Sequence, residues 1–278
     1  MAEPETFRLG GDLEVRRLGF GAMRLCGRRI MGWPEDRENA LAVLRRVVEL
    51  GVNLIDTSNA YGPEVNELQI AEALHPYPDG LVIATKGGLV RDDSASWPKD
   101  GRPEKLKAAC EGSLKRLRLE RIDVYQLHAP DPKVPIEESV GALRDLRDEG
   151  KIRHVGLSNV DVDELERAQS VVPIVSVQNE YNLGFRESED VLDECERQGL
   201  AFLPWYPLSS GSLAEQGRLD AIAKKHEATP AQVALAWLLR RSPVMVPIPG
   251  TSSLEHLEEN MGGDDISLSD EDFAALAA

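Results

Sequence analysis

Four side chains of different chemistry occur where short apolar segments of the chain end. They are a carboxylate, a phenol, an ammonium and an imidazole: Asp56, Tyr61, Lys86 and His128. A phenol has a free pKa of about 10, and a neighbouring ammonium stabilises its anion. A buried ammonium needs a carboxylate partner, and an imidazole can orient a substrate oxygen or relay a proton. The set would suit protonation of a carbonyl oxygen as a hydride reaches the carbon, with Lys86 lowering the pKa of Tyr61.

Each of these residues also has a plainer explanation. Asp56 alone could cap a loop, Lys86 could be a solvated strand end, and His128, which precedes Ala129-Pro130, could lie in a turn. Those explanations fail jointly if the preceding segments are adjacent strands of a barrel, because chemistry occupies the carboxyl ends of barrel strands.

Apolar runs alternate with amphipathic helical patterns along the chain. The predicted strands cover residues 17–20, 53–56, 81–86, 122–127, 152–157, 173–177, 201–205 and 243–248. The predicted helices cover residues 38–50, 63–74, 103–119, 136–149, 161–171 and 187–198, with further helices beginning at Leu213, at Thr229 and near Ser253. Such continuous apolar runs are typical of strands buried on both faces.

Eight strand–helix units predict an α/β fold, a single (β/α)8 TIM barrel over residues 1–278. Residues 6–15 are predicted to form a β-hairpin that plugs the bottom of the barrel. An open doubly wound sheet is the alternative. The even spacing of the strands and the absence of a Gly-x-Gly-x-x-Gly turn after any of them argue against it.

The composition excludes several classes of function. Hydrophobic residues make up 42% of the 278, which is enough for a core, and the formal net charge is −16. Such a surface repels phosphodiester backbones and anionic lipid, so neither nucleic acid nor a membrane is predicted as a partner. Three scattered cysteines predict neither a disulfide framework nor a metal site. With no signal peptide at the start, the cytoplasm is the expected location.

Six motifs carry a resemblance to a known family. They are residues 19–23 (GFGAM), 56–62 (DTSNAYG), 84–86 (ATK), 119–128 (LERIDVYQLH), 156–159 (GLSN) and 177–182 (VQNEYN). In type and order these motifs resemble the aldo-keto reductase family nearly from end to end. The resemblance implies a catalytic tetrad of Asp56, Tyr61, Lys86 and His128. It also implies a nicotinamide cofactor that is held without a Rossmann domain.

The same resemblance implies which residues hold the cofactor. Ser158, Asn159 and Gln178 correspond to groups that hydrogen-bond the carboxamide, and Trp205 corresponds to the aromatic residue that stacks on the ring. Residues 248–253 resemble the loop that binds the adenosine phosphate, and a helix N-terminus rich in hydroxyls is a good anion site. The predicted cofactor contacts are Ala22, Met23, Asp56, Ser158, Asn159, Gln178, Trp205, Tyr206, Leu208, Gly250, Thr251, Ser252, Ser253, His256, Glu259 and Asn260.

Two departures from the family pattern bear on the choice of cofactor. Gly250 stands where many members have a lysine, and His256 stands where many have the arginine that grips the 2′-phosphate. A neutral imidazole does not replace a permanent guanidinium. We therefore expect NADPH to be the cofactor, preferred less strongly than usual over NADH, which is the alternative.

The resemblance implies a small carbonyl compound as substrate. The chain ends at Ala278 without the long C-terminal segment that closes over the substrate in longer relatives. We therefore expect a comparatively open pocket, or one completed by another subunit, and a monomer or small homo-oligomer. The residues predicted to contact the substrate are Trp33, Tyr61, Trp97 and His128.

Within the family, three segments most resemble the microbial branch that includes pyridoxal reductases. They are residues 19–23, 95–97 and 249–253. Pyridoxal, an aromatic aldehyde that a tryptophan-lined pocket would accept, is therefore a candidate substrate.

Three other functions are alternatives for a chain of this pattern. The same barrel could be a non-catalytic partner-binding protein, like the potassium-channel regulatory subunits, but all four tetrad positions are filled. Paired carboxylates, such as Asp56 with Glu180, would suit an acid–base hydrolase but would leave Tyr61 and Lys86 without a task. A metal enzyme is disfavoured because the sequence has no cluster with metal-ligand spacing, so no metal is predicted.

Overall fold

Strands and helices alternate along the chain in the structure, a computed structural model that describes residues 5–91, 96–209 and 217–277. The strands are β1 (Thr6–Leu9), β2 (Leu13–Arg16), β3 (Phe20–Gly21), β4 (Leu54–Asp56), β5 (Val82–Gly87), β6 (Ile122–Leu127), β7 (Ile152–Ser158), β8 (Ile174–Gln178) and β9 (Ala201–Phe202). The helices are α1 (Arg37–Glu49), α2 (Val65–Leu74), α3 (Pro103–Leu117), α4 (Ile136–Asp148), α5 (Val162–Gln169), α6 (Glu189–Gln198), α7 (Gly217–Lys225), α8 (Pro230–Arg241), α9 (Leu254–Met261) and α10 (Asp270–Ala277).

Strands β3 to β9 form one parallel sheet in the order in which they occur along the chain. Asp56 pairs with Ala84, Lys86 with Gln126, and Ser158 with Gln178. Because neighbouring strands run in the same direction, their carboxyl ends meet at one rim. That rim is where the predicted catalytic residues lie.

The segment at 243–249 closes this sheet into a barrel, although it is not a regular strand. On one side, Phe202 N–H donates to the Val244 carbonyl and Val246 N–H donates to the Phe202 carbonyl. On the other side, Gly19 N–H donates to Pro247 and Gly21 N–H to Pro249. Prolines at 243, 247 and 249 have no N–H, so the segment cannot form a full ladder. The predicted (β/α)8 barrel is confirmed, but its eighth strand is reduced to these isolated bonds.

A β-hairpin covers the bottom of the barrel, as predicted. Strands β1 and β2 pair antiparallel, and Leu9, Leu13 and Val15 are buried in one apolar cluster with residues from the barrel interior. The barrel residues of that cluster include Leu54, Val82 and Ala201, each the first residue of its strand. The hairpin therefore seals the end of the barrel opposite the polar rim.

Capping residues account for several helix boundaries. The Asp36 side chain accepts from Asn39 N–H at 2.9 Å before α1, and Asp161 and Thr229 each form a capping box, at α5 and α8. Gly199, with a φ of 70°, ends α6. The helix predicted from Leu213 is described from Gly217 onward, and residues 213–216 lie outside the described part of the chain.

Apart from shifts of one or two residues at element ends, the structure differs from the predicted elements at three further places. The first strand, predicted over 17–20, is the two-residue β3 at Phe20–Gly21. Strand β9 covers only Ala201–Phe202 of the predicted 201–205, since Pro204 interrupts the ladder. Helix α10 was not predicted separately, and it packs against α7.

A buried carboxylate attaches α2 to the strand that carries Lys86. Thr85 Oγ1 donates to Glu67 Oε1 at 2.6 Å, and Arg116 Nε donates to Glu67 Oε2 at 2.7 Å. The Glu67 side chain is fully buried, and that of Arg116 is 13% exposed. This contact fixes β5 from outside the barrel while Lys86, the next residue, faces the inside.

We predict that Glu67→Ala lowers the free energy of unfolding by about 3 kcal/mol, because it leaves a largely buried guanidinium without its buried partner. Urea denaturation followed by circular dichroism would measure this. Glu64→Ala is the matched control, since Glu64 pairs with the same guanidinium at 3.0 Å but is 59% exposed. Its effect should stay below about 1 kcal/mol. Equal effects of the two substitutions would contradict the prediction.

Candidate active site

The structure brings the four predicted catalytic side chains together at the rim of the barrel. Asp56 is the last residue of β4, Lys86 is the fifth of the six residues of β5, and His128 directly follows β6. Tyr61 lies in the loop between β4 and α2. Adjacent parallel strands thus supply the carboxylate, the ammonium and the imidazole. The loop between β4 and α2 places the Tyr61 phenol next to them.

Asp56 and Lys86 form a buried ion pair. Lys86 Nζ donates to Asp56 Oδ1 at 2.6 Å and to the Thr57 carbonyl at 2.9 Å. The other carboxylate oxygen, Asp56 Oδ2, accepts from Gln126 Nε2 at 3.0 Å and from Gln178 Nε2 at 2.9 Å. Burial lowers the pKa of Lys86, and the adjacent Asp56 charge opposes that shift. Both carboxylate oxygens of Asp56 therefore accept hydrogen bonds from buried donors.

Tyr61 is held beside this pair with its hydroxyl near the ammonium. Lys86 Nζ lies 3.5 Å from Tyr61 Oη and 5.2 Å from the ring centroid. Burial, followed by the charge of Asp56, raises the pKa of Tyr61 well above its usual value. The sequence predicted the opposite direction. Because Asp56 lies 2.6 Å from Lys86, it offsets the charge that was expected to lower the phenol pKa. The phenol therefore keeps its proton at neutral pH.

His128 contacts Tyr61 and a serine that the sequence analysis did not single out. The two rings are edge to face, with centroids 5.8 Å apart. Ser58 Oγ lies 3.1 Å from His128 Nδ1. Burial, followed by the charge of Lys86, lowers the pKa of His128 well below its usual value. The ring is therefore neutral at pH 7.

A cavity of about 780 Å³ opens above these residues, within the range of small-molecule and cofactor sites. Ile30 and Leu89 add apolar surface near the tetrad. The predicted site residues that line the cavity are Met23, Asp56, Tyr61, Trp97, His128, Ser158, Asn159, Gln178, Trp205, Tyr206, Leu208, Gly250, Thr251, Ser252, His256, Glu259 and Asn260.

Four residues of the predicted site do not line this cavity. Lys86 is fully buried and reaches the site only through its contacts with Asp56 and Tyr61. Ala22 is fully buried, and its carbonyl accepts from Asn66 Nδ2 at 2.9 Å. Ser253 caps α9, where its hydroxyl accepts from His256 N–H at 3.2 Å. Trp33 is 43% exposed and lies under the Arg37 guanidinium, 4.2 Å from the ring centroid. Trp33 is thus a surface residue here, whereas Trp97 lies 6.2 Å from the Tyr61 ring.

A hydrogen-bond network orients the amide and indole side chains of the cavity wall. Asn159 Nδ2 donates to the His128 carbonyl at 2.9 Å and to Ser158 Oγ at 3.0 Å. Its Oδ1 accepts from Trp205 Nε1 at 3.1 Å. The φ of Asn159 is 58°, a left-handed conformation that asparagine tolerates better than most residues. The indole that was predicted to stack on a cofactor ring is therefore fixed from the end of β7.

The predicted phosphate loop surrounds the start of α9. Thr251 Oγ1 accepts from Ser253 N–H at 3.0 Å. Gly250 packs so closely on β3 that a Cβ there would lie 2.3 Å from the Gly21 carbonyl oxygen. A lysine at 250 is therefore incompatible with this backbone. The stem of Arg24 passes over the same glycine, with Cγ 3.7 Å from that Cβ position, and Arg24 lines the cavity.

Sequence reasoning missed Gln126, Ser58 and Arg24. Gln126 is an amide near the carboxyl end of β6 and two residues before His128, which is a detectable signal for a polar side chain in the barrel interior. Arg24 follows the first-strand motif directly and could have been recognised as a cation near an anion site. Ser58 had no such signal, because hydroxyls are common in loops.

The hydrolase alternative is not supported by the position of Glu180. Its carboxyl lines a second cavity of about 350 Å³ with Glu187, and the Asp56 carboxylate is not part of that cavity. Burial, followed by the charge of Glu187, raises the pKa of Glu180. The Asp56 carboxylate instead accepts hydrogen bonds from Lys86 and from the side-chain amides of Gln126 and Gln178.

Within residues 5–91, 96–209 and 217–277, no group of three or more His, Cys, Asp or Glu side chains could hold a metal ion. In that same part of the chain, none of the helices combines the length and apolar character needed to cross a membrane.

Comparison with known proteins identifies the family of the chain. The family model for the aldo/keto reductase family matches residues 17–278. The uncharacterized oxidoreductase C215.11c of Schizosaccharomyces pombe is 51% identical over 96% of this chain and 87% of its own length. The pyridoxine 4-dehydrogenase of Escherichia coli is 42% identical over 98% of this chain and 96% of its own. A solved structure of an aldo-keto reductase from Klebsiella pneumoniae in complex with NADPH shares 29% identity and a TM-score of 0.85, covering 99% of this chain and 94% of that one.

These matches extend over nearly the whole chain and confirm the resemblance that the six motifs predicted. The fold of the solved relative also agrees with the barrel described above. The chain belongs to the aldo/keto reductase family and is an oxidoreductase.

Proposed function

We propose that this protein reduces an aldehyde or ketone to an alcohol, with NADPH as the hydride donor and Tyr61 as the proton donor. The observation that carries the proposal is the position of Tyr61. Its phenol lies 3.5 Å from a buried ammonium and lines the same cavity as the Asn159 amide, the Trp205 indole and the start of α9.

The residues of the cavity fit a reduced nicotinamide dinucleotide phosphate. Ser158, Asn159 and Gln178 would hold the carboxamide, Trp205 would stack on the ring, and the loop at 250–253 would hold a phosphate. Gln178 donates inward to Asp56 at 2.9 Å and to Gln126 Oε1 at 3.4 Å, which leaves its own carbonyl oxygen for a donor such as a carboxamide. When bound, the reduced nicotinamide supplies the hydride.

The protein's own residues would then handle the proton. The protonated Tyr61 hydroxyl gives its proton to the carbonyl oxygen, and the phenolate that forms is stabilised by Lys86 Nζ at 3.5 Å. Asp56 keeps that ammonium charged and in place. The neutral His128 orients the substrate oxygen beside the phenol, which lies edge to face with it.

The substrate proposed is a small carbonyl compound, with pyridoxal as the named candidate. Tyr61, Trp97 and His128 present three rings whose centroids lie within 6.4 Å of one another. Such a wall would accept a flat aromatic aldehyde. The 42% identity to the pyridoxine 4-dehydrogenase of Escherichia coli supports the same candidate. Of the 95–97 motif, Ala95 lies outside the described residues.

The proposals for location and assembly rest on the sequence rather than on the site. Cys26, Cys110 and Cys195 are free thiols, which fits the proposed cytoplasmic location. A monomer or small homo-oligomer remains the prediction.

The direct test is a panel of aldehydes and ketones, pyridoxal included, assayed with the purified protein and NADPH or NADH. Oxidation of the cofactor would be followed by its absorbance. Turnover of at least one carbonyl compound is expected. Tight NADPH binding without turnover of any carbonyl would favour the non-catalytic alternative.

We predict that Tyr61→Phe reduces carbonyl turnover by about 10²-fold or more, the usual scale of general acid catalysis. The dissociation constant for NADPH should change little, because the ring remains. Tyr77→Phe is the matched control, since Tyr77 donates to the Leu117 carbonyl outside the cavity. Turnover by Tyr61→Phe close to that of Tyr77→Phe would remove Tyr61 from the mechanism.

We predict that Lys86→Met lowers kcat/KM for carbonyl reduction by about 10²-fold or more, because the phenolate that forms as Tyr61 gives up its proton loses the ammonium at 3.5 Å. The measurement is kcat/KM, with Lys107→Met, a surface lysine paired with Asp145, as control. Turnover by Lys86→Met close to that of Lys107→Met would mean that Lys86 does not assist Tyr61.

We predict that NADPH is preferred over NADH, but modestly, and that His256→Arg raises this preference about tenfold or more, since a charged hydrogen bond contributes about 1.5–3 kcal/mol. His256 is exposed at the cavity edge, so added salt should reduce the gain. The measurement is the ratio of the two dissociation constants.

Glu255→Gln is the control for this prediction. Like His256→Arg, it makes the net charge of α9 more positive by one unit. Glu255 is exposed and does not line the cavity. If His256→Arg changes the ratio no more than Glu255→Gln, His256 does not face the 2′-phosphate. Tighter binding of NADH by the wild type would overturn the NADPH assignment.

A further inference from the structure

Ser58 lies directly behind His128, on the side away from the cavity. Its Oγ is 3.1 Å from His128 Nδ1, and the serine is fully buried. The same oxygen accepts from Ala60 N–H at 3.1 Å. The preceding residue is fixed as well, because Thr57 Oγ1 donates to Asn66 Oδ1 at 2.6 Å within the core. The hydroxyl is therefore held at a defined position against the imidazole.

The number of hydrogens on the Ser58 hydroxyl and on the His128 ring decides which of the two donates the hydrogen bond between them. A serine hydroxyl has one hydrogen and two acceptor lone pairs, and Ala60 N–H occupies one lone pair. Two acceptors are within reach of the single hydrogen, His128 Nδ1 at 3.1 Å and Asn59 Oδ1 at 3.4 Å. The shorter contact favours donation to the imidazole. A nitrogen that accepts carries no proton, so the single proton of the neutral ring must be on Nε2.

The remaining ring nitrogen is the one available to a ligand. His128 lines the main cavity, and among the described residues no hydrogen bond involves its Nε2. The Tyr61 ring is edge to face at 5.8 Å, and the Trp97 ring is tilted by 59° at 6.4 Å. An Nε2–H group on His128 would thus donate into the same space as the Tyr61 hydroxyl.

We propose that Ser58 is a positioning residue that holds His128 as the Nε2–H tautomer, so that the imidazole donates a hydrogen bond to the substrate's carbonyl oxygen. The transferred proton comes from Tyr61, and His128 keeps its own. The first half of this proposal concerns the protein alone. The second half, the hydrogen bond to substrate, rests on the proposed function.

Nitrogen-15 NMR of the imidazole rings reads the tautomer directly, without cofactor or substrate. The chain has five histidines, and the His128 signal is assigned as the one lost in His128→Gln. At pH 7 the wild type should show an unprotonated Nδ1 and a protonated Nε2 for His128. In Ser58→Ala the Nδ1 signal should shift, because its hydrogen-bond donor is gone. A protonated Nδ1 in the wild type, or a His128 spectrum unchanged in Ser58→Ala, would overturn the assignment.

Kinetics test the second half. Ser58→Ala should lower kcat/KM for carbonyl reduction about fivefold, the effect of losing one neutral hydrogen bond, while the dissociation constant for NADPH stays within about twofold. Ser176→Ala is the matched control: Ser176 is also buried in the barrel, but its Oγ has no hydrogen-bond partner among the described residues. It should leave both the His128 spectrum and kcat/KM unchanged.

The NMR experiment and the kinetic experiment test different parts of the proposal, and each can fail without the other. The expected tautomer together with an undiminished kcat/KM in Ser58→Ala would overturn the role toward substrate. An absence of any carbonyl turnover by the wild type would refute the proposed function, and the NMR result would still decide whether Ser58 sets the tautomer.

Discussion

The buried ion pair between Asp56 and Lys86 is the interaction on which the rest of the site depends. Two charges removed from water are tolerated only when every remaining donor and acceptor is satisfied. Here Lys86 Nζ also donates to the Thr57 carbonyl, and Asp56 Oδ2 accepts from two glutamine amides. Those partners come from β6, from β8 and from the end of β4. The parallel register of the barrel is therefore a requirement of the ion pair.

The same pair sets the state of the proposed acid. Because the carboxylate offsets the ammonium, the site presents little net charge to Tyr61, and burial then raises the pKa of the phenol. A phenol that stays protonated is a suitable proton donor. In the proposed reaction the ammonium at 3.5 Å would become important only as the proton leaves, since it would then face a phenolate. Such an arrangement would favour the charge that develops during the reaction over the charge present before it.

The sequence predicted the barrel and the convergence of the tetrad because both depend on patterns of short range. Apolar runs mark strands, and residues that end adjacent parallel strands must share a rim. Side-chain details depend on contacts between distant residues. The amide of Gln126 reaches Asp56 across 70 positions, and the same separation joins Ser58 to His128. A regular eighth strand was predicted at 243–248 because prolines fit an apolar run. The structure has only isolated hydrogen bonds there, since a proline has no N–H to donate to a ladder. Trp33 was expected near substrate from its loop alone, and packing under Arg37 places it at the surface.

Packing around Gly250 gives a physical reason for one departure from the family pattern. With a Cβ at 250 only 2.3 Å from the Gly21 carbonyl, this backbone excludes the lysine that many members have there. An acidic chain with a net charge of −16 must then hold an anionic cofactor by other means. The structure offers the N-terminus of α9, the hydroxyls of Thr251 and Ser252, and the Arg24 side chain at the same edge of the cavity. Backbone amides and hydroxyls bind phosphate by dipoles, whose attraction falls off faster with distance than that of a full charge. Discrimination between phosphorylated and unphosphorylated cofactors should therefore depend on the few groups in direct contact with the 2′-phosphate, rather than on the field of the whole protein.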